Sequence, residues 1–330
     1  MKKIRFVSII LLCIVCLCSC RFVATASYMA MRPINENDMA LIECTDEKGA
    51  EKAIVNGANI YEMKTKAGKQ GTMAIAMFYG NDFSRKYLLE KGADPNASEF
   101  LLNITPLMKY ADNEEQYDFC KLLIEKGADV NARSKKYPEG DYITALSAAI
   151  SKSKKMINLF LDNGAEVNLK NLETLYKNYF NTEVPEDYII SGEKYYEKAI
   201  ITGEGTQEQA NKNAFYGYAA DYKLLKRMTE SYNKEKGGYI SDISPTIISI
   251  LTDTEEKVIK KIKKNELDQE EVYAVPFMAV RFGSDIFKEM EKAGWDITAE
   301  DPYKKDALEI AEEVNNTELA SFLKSTGKFS

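Results

Sequence analysis

Four groups of residues could do chemistry in this chain of 330 residues: cysteines, carboxylates, a glycine pair and a lysine–tyrosine cluster. There are six cysteines and no histidine. Without imidazole the commonest general base is missing, and with it the Ser–His and Cys–His nucleophile pairs and histidine metal sites. Cys13, Cys16, Cys18 and Cys20 crowd one end; Cys44 and Cys120 stand apart, and two distant thiolates do not build a structural zinc site. Gly203-Glu204-Gly205 is a bare G-x-G with Glu208 where a dinucleotide fingerprint needs its third glycine, and no P-loop spacing occurs. Paired acids such as Glu114-Glu115 and Glu255-Glu256 are the groups a carboxylate-dependent hydrolase would use. The competing reading of such runs is a solvated helix face. The fourth group runs from Arg133 to Tyr142 and holds Lys135, Lys136 and Tyr137. Tyrosines among lysines suit a protein contact, since tyrosine is enriched at binding hot spots; the other reading is a solvated loop tip.

The elements that must position these groups announce themselves by repetition. Leu88-Leu89-Glu90-Lys91-Gly92-Ala93-Asp94-Pro95-Asn96-Ala97 returns as Leu123-Ile124-Glu125-Lys126-Gly127-Ala128-Asp129-Val130-Asn131-Ala132, and again, worn, as Phe160 to Asn168. Gly57 to Gly92 is 35 residues, Gly92 to Gly127 is 35 and Gly127 to Gly164 is 37. Such a period marks one supersecondary unit stacked many times. The apolar pairs predict the buried stripe of a short helix. Each glycine predicts a left-handed helix end, and the Asp/Glu and Asn that follow predict a tight turn. Upstream, Thr72, Thr105 and Thr144 predict helix caps, and Pro106 suits a first helical position. Ala74, Ala148 and Ala149 let helices approach closely.

These words resemble ankyrin repeats, whose pattern is Thr-Pro-Leu-His-x-Ala, a helix pair, then Gly-Ala-Asp-x-Asn-Ala. The resemblance is strong over 72–169 and returns toward the C-terminus. It implies an all-α solenoid of about seven to eight helix-turn-helix units with divergent central repeats, and a role in protein–protein recognition. One departure stands out. The family's helix-capping His is absent, and Ile75, Met108 and Ser147 occupy its place.

The first twenty residues read as a leader rather than as fold. Lys2, Lys3 and Arg5 precede an apolar run from Phe6 to Leu17, short for a membrane span. It ends in Leu17-Cys18-Ser19-Cys20, which resembles the cleavage box of bacterial lipoproteins. The resemblance implies that Cys20 is lipidated and anchors the chain to a membrane of the bacterial envelope, facing the periplasm or the surface. An ordinary secretory signal and an uncleaved anchor are the alternatives. Residues 21–37 read as a flexible tether of roughly 20–24 Å reach. Cys44 and Cys120 then remain as free, mostly buried thiols, since repeats two steps apart exceed the roughly 7 Å Cα separation a disulfide tolerates.

The remaining chain divides into repeats over 38–169 (four units), a tyrosine-dense divergent stretch over 170–243 with an insertion near 181–193, and further repeats over 244–330 that end in a polar cap. Within the divergent stretch the aromatic spacing suits helix core. Lys and Arg number 44 against 51 Asp and Glu, and removing Lys2, Lys3 and Arg5 leaves 41 against 51, or about −10. Nucleic acid, which calls for a basic face, is therefore not an expected partner. No cofactor is implied. The expected function is an envelope-anchored binding module for a protein partner, not an enzyme, with Phe100, Arg133, Lys135, Lys136, Tyr137 and Tyr142 as contact residues. A periplasmic inhibitor or immunity-type protein is a second reading, and a carboxylate hydrolase built in 170–243 a third.

Overall fold

The glycines of the repeated words set the helix ends. Gly57, Gly92, Gly127, Gly164 and Gly294 have φ of 99°, 89°, 92°, 81° and 83°. At these angles a Cβ would be strained, so glycine is the residue that turns the chain. The next N–H then reaches back five residues. Ala93 donates to the Leu88 carbonyl, Ala128 to Leu123 and Ala165 to Phe160, each at 2.9 Å. This is the paired closure expected of a left-handed helix end.

A computed structural model describes residues 30–135, 142–150, 152–179, 222–232, 245–271, 273–301 and 304–329. Cys20, Lys136 and Tyr137 lie outside the described residues, as does the insertion expected near 181–193. The chain forms two compact units, one ending at residue 145 and the other made of 146–330 with residues 112–114 joined to it.

In the first unit, helix pairs follow one another: Glu36–Glu43 with Glu47–Val55, Thr72–Tyr79 with Asp82–Glu90, and Pro106–Tyr110 with Tyr117–Glu125. Glu36–Glu43 packs on Thr72–Tyr79, which packs on Pro106–Tyr110; Asp82–Glu90 packs on Tyr117–Glu125. The core these rows bury includes Met73, Ala74, Ile75, Leu88 and Leu123, each fully buried. Ile75 and Met108, which replace the family's histidine, are thus core residues. Pro106 opens its helix and the Thr105 side chain caps it, accepting from the Met108 N–H at 3.3 Å.

Thr72 departs from the expected cap. The helix starts at Thr72 itself with Gly71 before it, and the Thr72 hydroxyl donates to the Asn59 carbonyl at 3.1 Å. The cause is an antiparallel hairpin, Glu62–Thr65 with Gly68–Gly71, that runs straight into the helix and fixes its first residue. The hairpin is the one sheet among the described residues, set in an otherwise mostly helical chain.

The tether read for 21–37 does not extend through residues 30–37. Met31 is fully buried, Pro33 pairs antiparallel with Thr65, and the Glu36–Glu43 helix is capped by Asn35. The hairpin supplies backbone partners that the tether's own composition does not reveal.

Asn81 joins successive helix pairs. Its oxygen accepts from the Ser84 N–H at 3.0 Å as the helix cap, and its amide donates to the Cys44 carbonyl at 2.8 Å. Asn81→Ala is expected to destabilise the unit by about 1–2 kcal/mol, the loss of a cap plus a partly buried hydrogen bond. Asn81→Asp keeps the cap and loses the donor, so it should recover about half of that in urea unfolding. Equal stability of Asn81→Ala and the parent would show that the link carries nothing.

In the second unit, Ala145–Ala149 begins at the last residue of the first unit and precedes Lys154–Asp162. Ser153 caps the latter, accepting from Met156 at 3.2 Å while its hydroxyl donates to Glu114 at 2.5 Å. Three pairs close the chain: Pro245–Thr252 with Glu255–Lys263, Ala274–Arg281 with Ser284–Lys292, and Ala307–Glu313 with Thr317–Ser325. The first helices of these pairs pack in one row and the second helices in another. Ala274–Arg281 starts two residues before Pro276, with Tyr273 at φ 57° ahead of it.

The divergent stretch yields two described helices, Leu169–Tyr179 and Tyr222–Glu230, which pack on each other. The second does not simply continue the array. It also packs on Lys154–Asp162, Ala274–Arg281 and Ala307–Glu313, so it lies along the first-helix row of the closing pairs. Tyr222, fully buried, donates its hydroxyl to Asp301, and Lys226 reaches the Val314 carbonyl at 3.4 Å. Arg227 holds the other side through Asn158 at 2.6 Å and an ion pair with Asp162. Tyr222 thus matches the expectation that aromatics here serve as core.

Candidate protein-interaction surface

The surface expected to bind lies on the loops that link helix pairs in the first unit, here called fingers. Each carries a buried polar residue that accepts a backbone N–H from further along its own loop. In the hairpin finger, Thr65 (buried) accepts from the Ala67 N–H at 3.1 Å and donates to the Gly68 carbonyl at 2.9 Å. In the second finger, Glu99 accepts with both oxygens, one from Leu101 at 2.7 Å and the other from Leu102 and from Ile104, the latter at 3.2 Å. In the third, the Ser134 hydroxyl accepts from the Ile143 N–H at 2.7 Å, while the Ser134 N–H donates to the Ile143 carbonyl at 3.0 Å. Asn103 turns the second finger at φ 57°, a conformation asparagine tolerates better than most residues.

The fingers also hold one another. A Cβ on Gly71 would sit 2.5 Å from the Ala97 Cβ, so the first finger's exit lies against the second finger's entrance. Lys135 donates its backbone N–H to the Leu102 carbonyl at 2.7 Å, and its ammonium to the carbonyls of Phe100 at 2.9 Å and Leu101 at 3.1 Å.

The expected contact residues therefore separate. Phe100 is half-buried on the second finger. Arg133 is exposed on the third, with its guanidinium over the Tyr142 ring at 4.3 Å, so these two form one stacked cation–π pair. Lys135 has its ammonium committed to the neighbouring finger's carbonyls. Sequence reasoning missed three exposed apolar residues here: Leu101 at 41 %, Ile34 at 58 % and Tyr61 at 64 % exposure. Leu101 had a readable signal, its place directly after Phe100 in the same loop.

Charge at the fingers is basic. Lys64, Lys66 and Lys69 sit on the hairpin, and the bond to Glu62 holds the exposed Lys69 ammonium above the ordinary lysine range. Cys44 offers no nucleophile to this surface. Burial, with Asp46 nearby, pushes its thiol up, and the sulfur donates to the Leu41 carbonyl. Cys44 and Cys120 are both free and buried.

The second and third fingers thus bring Phe100, Leu101 and the Arg133–Tyr142 pair, apolar and cationic groups, onto one part of the first unit. No curated protein matches the chain. Residues 72–171 match the family of ankyrin repeats, in three copies; repeats of this kind suggest a protein–protein interaction module, and proteins built from them are generally non-enzymatic.

Proposed function

We propose that this chain is a lipoprotein of the bacterial envelope, anchored through an acylated Cys20, whose repeats capture a protein partner on the second and third fingers. The observation that carries the binding half is Leu101, 41 % exposed on a finger that Glu99 holds rigid from beneath. With the half-buried Phe100 next to it, Leu101 makes a small apolar patch, and contiguous exposed patches are what mark interaction surfaces. The leader's Leu17-Cys18-Ser19-Cys20 supports the anchoring half. The same helix-pair design outside residues 72–171 supports an array of about seven to eight units. The partner surface comprises Phe100, Leu101, Arg133, Lys136, Tyr137 and Tyr142, with Lys135 holding the two fingers together.

In-cell crosslinking followed by mass spectrometry identifies the partner. Leu101→Asp, and separately Tyr137→Ala with Lys136→Glu, should each reduce its capture by tenfold or more, the loss of one hot-spot contact. Both variants should leave the circular dichroism melt of the parent unchanged. Equal capture by parent and variants would move the partner to another face. Loss of palmitate incorporation in Cys20→Ser tests the anchor separately.

A further inference from the structure

Residues 30–34 lie at the tip of the first finger. The Ala67 N–H donates to the Ala30 carbonyl at 3.0 Å, Pro33 pairs with Thr65, and the Ile34 N–H donates to the Lys64 carbonyl at 2.9 Å. This added segment carries Ile34, exposed at 58 %, with the exposed side chains of Arg32, Lys64 and Lys66 around it; Tyr61, 64 % exposed, stands at the hairpin's other end, where its carbonyl accepts from the Thr72 N–H at 3.0 Å. Lys69 is paired with Glu62 at 2.7 Å, whereas among the described residues no carboxylate pairs with Arg32, Lys64 or Lys66. A chain of net charge −7 thus gathers unpaired cations and apolar side chains at the finger next to its amino-terminal segment.

We propose that this tip is a membrane-surface contact: Arg32, Lys64 and Lys66 meet anionic lipid headgroups while Ile34 enters the interface between headgroup and acyl chain. The proposal rests on the reading of Cys20 as the anchor. Ten residues separate Cys20 from Ala30, which bounds the tip to within about 36 Å of an anchored Cys20. Each basic group near an anionic leaflet strengthens binding about fivefold, so three supply roughly a hundredfold. That is too little to recruit a protein from solution, but ample once an anchor supplies the high local concentration. The second and third fingers are left for the protein partner.

The absence of histidine allows a clean test. Residues 21–330 with a hexahistidine in place of the leader and Cys20 attach to nickel-chelating vesicles whether or not cells acylate Cys20. Acetylation of lysines is then followed by mass spectrometry on vesicles of phosphatidylcholine alone and of phosphatidylcholine with phosphatidylglycerol. Lys64 and Lys66 should react about fivefold or more slowly on the anionic vesicles, the effect of a single favourable basic contact at minimum. Lys48 and Lys52, exposed on the Glu47–Val55 helix, should not change. Ile34→Asp should weaken the protection while melting as the parent does. Equal reactivity on both vesicles overturns the proposal, as does full protection in Ile34→Asp. The mass of the amino-terminal peptide from cells tests the acyl group on Cys20 independently, so a failed anchor and a failed contact are told apart.

Discussion

Asp301→Ala is expected to destabilise the second unit by about 3–4 kcal/mol, the range found when one partner of a buried charged network is removed. Asp301 is 2 % exposed. Its carboxylate accepts from the Tyr222 hydroxyl and, at 2.9 Å, from the Lys305 N–H, and its own N–H donates to the Lys305 carbonyl at 2.9 Å. Lys305 closes the cluster, with its ammonium 5.7 Å from the centre of the Tyr222 ring and 2.5 Å from Glu313. Alanine strands two donors in a site without water access, and that penalty outweighs the relief of burying a charge. For a unit of this size the melting temperature should fall by roughly 10 °C. Tyr222→Phe removes only one donor and should cost about 1–2 kcal/mol. The double substitution should fall short of the sum by about 1 kcal/mol, because both changes break the same bond. Strict additivity in urea unfolding would mean that Tyr222 and Asp301 do not hold the Tyr222–Glu230 helix on the closing pairs.

What the sequence disclosed and what it hid differ in range. Gly92, Gly127 and Gly164 were legible because a left-handed helix end depends on one residue and its immediate neighbours. Pro106 and Thr105 were legible for the same reason, and so was the helix Glu255–Lys263, whose acidic start and basic end follow the helix dipole. Thr72 was misread because the hairpin ahead of it supplies its partner from Asn59, thirteen residues upstream. The buried polar anchors were missed because Glu99, Ser134 and Asp301 capture backbone five, nine and four residues on, at no shared interval. Asn316 caps Thr317–Ser325 and also donates to the Phe282 carbonyl 34 residues earlier, the same device as Asn81. Only the fold brings those partners together. The Tyr222–Glu230 helix is the extreme case. Its Tyr222, Leu224, Leu225 and Met228 declare a buried stripe, yet nothing in that spacing says that the stripe meets Ala274–Arg281 and Ala307–Glu313. Among the candidate contact residues, Phe100 and Arg133 could be picked by type and loop position. Lys135 could not be recognised as a brace, because its carbonyl partners belong to the preceding finger.

Glu99 supplies the second large effect, and it separates shape from stability. Its carboxylate, 7 % exposed, accepts three backbone N–H groups of the finger that presents Phe100 and Leu101. Glu99→Ala leaves all three without a partner, and a loss of about 3 kcal/mol follows at about 1 kcal/mol per neutralised bond. Glu99→Gln is more informative. One amide oxygen can still accept from Leu102 and Ile104, but the amide nitrogen then faces the Leu101 N–H, donor against donor. The expected cost is about 1.5–2 kcal/mol, confined to the finger. In native-state hydrogen exchange the Leu101, Leu102 and Ile104 amides should exchange at least tenfold faster in Glu99→Gln, while the amides of the Asp82–Glu90 helix keep the parent rate. Capture of the partner should fall with the finger's order even though Leu101 and Phe100 are unchanged, because a contact group on a loosened backbone must be ordered again on binding. If the three amides exchange at the parent rate, the finger is held by something other than this carboxylate. If they exchange faster and capture is undiminished, Leu101 is not the contact that the partner reads.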